Sequence, residues 1–168
     1  SMTAQANGES VLAPSDTLIA SPPLLRIAPG ERQIVRLLAD VQAQKREADY
    51  RLLVSELPDA TGASGAVHVL LQFSIPVFAA SAPKPVDAQW SATRRDGKLA
   101  LALANNGDAA LKIAALSVAR EDGALAPFPC GLVYVLPGAR HVWTLPPEDA
   151  ASLRIVARDA RSGAPLDA

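Results

Sequence analysis

The sequence predicts an all-β protein of two sandwich-like domains, and three observations predict it. Fourteen prolines and ten glycines cut the 168 residues into short apolar segments, a spacing that suits strands and turns better than helices. Hydrophobic residues make up 49% of the chain and aromatics only 4%, enough for cores built from Ala, Leu and Val. A Pro- and Ala-rich stretch, AASAPKPVDA, separates two runs of strand-like pattern and reads as an interdomain linker. It leaves an N-terminal domain over residues 1–80 and a C-terminal β-sandwich domain over residues 84–168.

In chain order, LLRIAPGERQIVRLLA predicts two short extended runs joined at Pro29-Gly30, a turn dipeptide. ADVQAQKREADYRLLV has helix-forming composition, but its apolar spacing is poor for an amphipathic helix and predicts a polar loop. DYRLLVSELP alternates as a strand and stops at Pro58, and PDATGASGA is a flexible loop. VHVLLQFSIPVF, residues 67–78, is a long extended run with no acidic or basic residue except His68. Such a strand is either buried on both faces or waiting for a partner. Beyond the linker, KLALALANNGDAALKIAALSVA predicts two strands around the tight turn Asn105-Asn106-Gly107-Asp108. GLVYVLPGARHVWTL predicts two more around Pro137-Gly138, and ASLRIVARDA predicts a last one.

Composition and motifs exclude several function classes. The net charge is −1 and the basic residues are scattered, so no nucleic-acid surface or polybasic membrane anchor is expected. Cys130 is the only cysteine, which rules out an internal disulfide and predicts a small apolar filler or a loop thiol. His68 and His141 lie too far apart in the chain to suggest a zinc site with it. There is no glycine-rich phosphate loop and no nucleophile elbow. Glu148 and Asp149 read as solvated surface carboxylates. An enzyme is not expected, nor a cofactor or metal.

The ordered motifs LIASPPLLRIAPGERQIVRLL, READYRLLVSELP and VHVLLQFSIPVFAASAP resemble the N-terminal domain of the PapD-like pilus chaperones. The matching features are Ser21-Pro22-Pro23, then Pro29-Gly30, Gln33 to Arg36, Glu47, Tyr50 and Glu56-Leu57-Pro58. FSIPVF, Trp90, LALALANNGDAALKI and VYVLPGARHVW are most similar to the archaic, spore-coat-U-type systems. The resemblance implies two immunoglobulin-like β-sandwich domains, the first incomplete at its N-terminus, since the family carries several strands ahead of its Ser-Pro-Pro segment. It implies a periplasmic chaperone that stabilises pilin subunits for the outer-membrane usher by donor-strand complementation, the lending of a strand to a groove. Alternate side chains of that strand fill the groove, which puts Val67, Val69 and Leu71, with Phe73, forward as the donated residues. The competing expectation is a tandem immunoglobulin-like structural or adhesion module without subunit capture.

One departure favours that second expectation. The family grips the subunit's C-terminal carboxylate with two basic residues in the interdomain cleft, one of them on the long strand. Here Gln72 and Pro76 stand near the expected place, and no Lys or Arg lies between Arg51 and Lys84. An incomplete first sandwich also predicts unpaired strand edges and a homodimer that covers them.

Overall fold

The computed structural model describes residues 2–4, 10–42, 44–58, 69–119, 125–145, 155–161, 163 and 165–166. Thirteen β-strands and no helix occur among them. The order is β1 (Met2–Ala4), β2 (Ser10–Leu12), β3 (Leu18–Ser21), β4 (Arg36–Ala39), β5 (Ala48–Ser55), β6 (Gln72–Ala79), β7 (Ala88–Arg95), β8 (Lys98–Asn105), β9 (Leu111–Ala119), β10 (Leu125–Phe128), β11 (Val133–Val135), β12 (Arg140–Leu145) and β13 (Ile155–Asp159).

The C-terminal strands make a sandwich. One sheet runs β12-β8-β7; the other has β9 flanked by β10, β11 and β13. Asp96-Gly97 closes the β7–β8 hairpin with positive φ at both residues (52° and 73°), the two-residue turn that matches strand twist and that Asp-Gly favours. Leu99, Leu101 and Leu103 of β8 point inward against Leu111, Ile113, Leu116 and Val118 of β9. On β9 the inward set slips by one after Ile113. The β13 register slips with it, pairing Ala157 with Leu116 but Asp159 with Ile113. Ala114 and Ala115 thus oppose one residue of β13, a bulge that lets both halves of β9 face the core.

The chain crosses between the two sheets at the Pro137-Gly138 turn, because β11 pairs with β9 while β12 pairs with β8. Asn105 pins this crossing. It is fully buried; its side-chain amide donates to the Ala109 and Val135 carbonyls at 2.8 Å each, and its carbonyl oxygen accepts from the Gly107 N–H at 3.0 Å. Asn105→Ala would remove these three hydrogen bonds, each worth about 1 kcal/mol. A loss of about 2 kcal/mol in urea unfolding is expected. The linker lies on the same turn, since Pro85 and Asp87 accept from Asp108 and Asn106. A side chain at Gly107 would meet the Asp87 nitrogen at 2.6 Å, so only glycine fits.

The N-terminal strands are arranged differently. They form three separate two-stranded antiparallel sheets, β1-β2, β3-β4 and β5-β6. Tyr50 is buried and hydrogen-bonds Thr17 at 3.1 Å, yet Ile19, Leu24, Ile34 and Leu38 are exposed. Of the two runs expected around Pro29-Gly30, only the second carries a strand. Leu24–Ala28 has no ladder partner among the described residues, and β4 pairs back to β3 instead. The turn itself is present, with Gly30 at φ 80° and the Glu31 N–H donating to Ala28. The polar segment ahead of β5 is a loop, as expected.

Candidate functional site

The long apolar run becomes the end strand of its sheet. β6 pairs with β5 from Ala48↔Ala79 to Ser55↔Gln72, and no second strand lies beside it among the described residues. Pro76, which has no N–H to give a ladder, is compatible with such an edge and not with the middle of a sheet. The strand starts later than the expected Val67: it begins at Gln72. Glu56 extends the pairing by one residue. Its N–H donates to the Leu71 carbonyl at 2.8 Å, and its carboxylate accepts the Leu71 N–H at 3.1 Å. That side chain replaces a backbone acceptor because Pro58 prevents the strand from continuing.

The expected site residues are distributed unevenly. Val67 lies outside the described residues, as do His68, the PDATGASGA loop beyond Pro58, Glu148 and Asp149. Val69 and Leu71 precede the strand, 78% and 55% exposed, and Phe73 is 59% exposed within it. These fractions decide one question: in this structure the residues do not fill the chain's own core. Ile75, next on the same alternation, is exposed too, whereas Val77 and Phe78 turn inward. One extended segment therefore runs from a half-buried end near the linker to a solvated apolar end.

At the half-buried end, the N-terminal strands meet the C-terminal sandwich around two aromatic rings. Phe78 and Tyr134 stack with centroids 5.2 Å apart. Arg51 and Lys112 each hold a cation 5.9 Å from the Tyr134 ring, and Arg161 stands 4.5 Å over Phe78. Arg161 also grips Glu47 through both guanidinium nitrogens at 2.6 Å each, and this pairing holds its charge more firmly than usual. Glu47 further accepts the Ala110 N–H at 2.8 Å. Sequence reading did not find this cluster. The available signals were Glu47, singled out only as a matching feature, and Arg51, the last basic residue before a long stretch without any, which pairs directly with Pro76.

The other singled-out side chains have structural surroundings. Cys130 is buried, and burial pushes its thiol upward, which disfavours the reactive thiolate. His141 packs edge-on to Trp143 at 4.5 Å, and burial lowers its pKa. No group of His, Cys, Asp and Glu fit to hold a metal occurs among the described residues.

Comparison with known proteins gives a consistent picture. Residues 2–84 match the family model described as pili and flagellar-assembly chaperone, PapD N-terminal domain. The fold is similar to a chain in the crystal structure of the CsuC–CsuE chaperone–tip adhesion subunit pre-assembly complex, from archaic chaperone-usher Csu pili of Acinetobacter baumannii. The TM-score is 0.64 at 24% identity, covering 95% of this chain and 76% of that one. It is also similar to a chain of a chaperone–tip adhesin complex of CFA/I fimbriae biogenesis, with TM-score 0.59 and 11% identity over 97% of this chain and 76% of that one. No curated protein matches.

Proposed function

Since the chain is PapD-like, its residues 2–84 matching the N-terminal domain of pili and flagellar-assembly chaperones, we propose that it captures pilin subunits by lending them β6 and the residues before it. The supporting observation is an end strand that, with the residues just before it, exposes Val69, Leu71, Phe73 and Ile75 to solvent. A groove lacking a strand gains backbone hydrogen bonds from such an edge and buries every second side chain. No ATP site or reacting group is needed, because the exchange of one strand for another is driven by burial and ladder pairing. The protein would act in the periplasm, as a non-enzymatic carrier that delivers subunits to the usher. Arg51 and Lys112 take the place of the expected basic pair at the cleft, both beside Tyr134 and with no carboxylate in ion-pair reach among the described residues. They would receive the subunit's terminal carboxylate.

The test is co-expression with a candidate pilin subunit, followed by copurification and hydrogen exchange. Leu71 already pairs toward β5 in the free chain, and by alternation so do Phe73 and Ile75, so slow exchange found only in the complex is expected of the outward Gln72 and Ser74 amides. Copurification without such protection would favour a different contact, and failure to copurify would favour a structural or adhesion module.

Without a subunit, the same edge and the apolar face of β3 and β4 stay wet. Burial is worth about 25 cal/mol per Å², so a few hundred Å² on each copy brings the gain close to the cost of association. Ladder pairing along identical edges tips that balance, and a twofold arrangement closes on itself. Light scattering at high micromolar concentration is expected to give twice the 17.5 kDa chain mass. A mass equal to one chain would contradict the dimer.

A further inference from the structure

Four ionisable side chains meet where the N-terminal strands rest on the C-terminal sandwich. Glu47 leads into β5, Asp49 follows two residues later, Asp159 ends β13 and Arg161 lies just beyond it. One guanidinium thus feels the charge of three carboxylates, Glu47, Asp49 and Asp159. Among the described residues, the other cations around Asp49 are engaged elsewhere. Arg46 pairs with Asp108 at 3.5 Å on the surface. Arg51 of β5 and Lys112 of β9 stand over Tyr134. β6 presents an uncharged residue, Phe78, opposite Asp49, and β1 carries no titratable side chain.

The hydrogen bonds show which carboxyl is left out. Glu47 takes both arms of Arg161 and the Ala110 N–H. Asp159 takes the Lys112 N–H at 2.8 Å. Asp49 has a buried Oδ1 with no hydrogen-bond partner among the described residues. A proton on Asp49 would remove a negative charge at a carboxyl whose buried oxygen no hydrogen bond among the described residues compensates. Burial, and secondarily Glu47, push this carboxyl from 3.8 up to about 7, with Arg161 pulling the other way.

We propose that Asp49 is a proton-operated latch between the two domains: protonated, it leaves Arg161 to Glu47 and the joint closed; ionised, it competes for Arg161 and loosens the joint. The direction follows from linkage. The folded chain holds this proton between the two values and the unfolded chain does not, so the stabilisation is full below about pH 4 and is lost as pH rises through about 7. The latch stands independently of any pilin partner.

The experiment uses the full chain. Carbon-13 NMR of the Asp side chains, with Asp49 identified by its absence in Asp49→Asn, should give a midpoint between about pH 6 and 8. A midpoint below 5 overturns the proposal. Hydrogen exchange then reads the joint itself, through the Glu47 and Ala110 N–H groups that bridge it. Protection, corrected for intrinsic rates, should fall several-fold between pH 6 and 8 in the unmodified protein and stay level in Asp49→Asn. Parallel profiles overturn the proposal. The NMR midpoint of the unmodified chain decides the matter even if the variant fails to fold, with Asp49 then assigned through its backbone.

Discussion

Leu71→Glu is expected to abolish capture of a cognate pilin subunit. Its side chain is solvated in the free protein, so the substitution costs the chaperone little in folding. In the complex, the same position would place a carboxylate in an apolar groove. Losing a buried leucine forfeits about 2 kcal/mol, and burying an unpaired charge adds several more unless it takes up a proton. Either contribution alone weakens binding by more than tenfold, because each 1.4 kcal/mol is a factor of ten. Glu56 lies against Leu71, and a new carboxylate there introduces local repulsion. Phe73→Asp therefore serves as a second variant, since Phe73 sits opposite Val54 and no acidic residue. Ser74→Asp, on the other alternation, is the control that should retain capture. Pull-down of pilin by Leu71→Glu and Phe73→Asp at undiminished yield would refute the donor-strand role, whereas loss in all three would mean that charge anywhere on the edge is excluded.

The C-terminal sandwich is the part of the fold most readable from residue order. β8 alternates Leu99, Leu101 and Leu103 without interruption, and the turn at Asn105 to Asp108 falls where expected. Its core is closed, so the three leucines are buried as their alternation predicts, with Ala102 of the other face buried as well. β7 and β10 carry weaker patterns, AQWSATRR and LAPF, and emerge only because β8 and β9 pair with them. The N-terminal half is less readable for a physical reason. Leu24, Leu25 and Ile27 form a strand-like run, but with no neighbouring ladder among the described residues to receive their backbone groups they remain outside regular structure. The start of β6 shifted for the same reason: apolar alternation continues back to Val67 in the sequence, while the ladder stops at Ser55 and Gln72, just ahead of Pro58.

At the candidate site, alternation carried the information and charge pairing did not. Val69, Leu71 and Phe73 can be read from a period of two. Glu47 and Arg161 are 114 residues apart, and no local spacing hints that they meet. Lys112 and Arg51 likewise converge on Tyr134 only because β5, β9 and β11 come together at the joint. Long-range electrostatics of this kind follow from topology, so a sequence can nominate the ionisable residues but not their partners.

Arg161→Ala is expected to cost about 3 kcal/mol of stability, the low end of what breaking a buried ion pair costs. Arg161 retains 29% of its side-chain exposure but Glu47 only 7%, so the loss falls on Glu47. Its carboxylate would keep the Ala110 N–H and lose two charge-assisted hydrogen bonds, the stronger class. The stacking over Phe78 adds about 0.5–1 kcal/mol. For a chain of this size, 3 kcal/mol corresponds to a melting-point drop of roughly 6–12 °C. Arg161→Lys should recover only part of it, because an ammonium cannot bridge both oxygens of Glu47. Glu47→Gln combined with Arg161→Met is the decisive comparison. Removing both charges leaves no unpaired ion at the joint, so the double variant should be more stable than Arg161→Ala despite carrying one more change. A melting point for Arg161→Ala within 1 °C of the unmodified protein would show that the joint does not depend on this pair. A double variant less stable than Arg161→Ala would show that the pair contributes by attraction, rather than by sparing Glu47 an uncompensated burial.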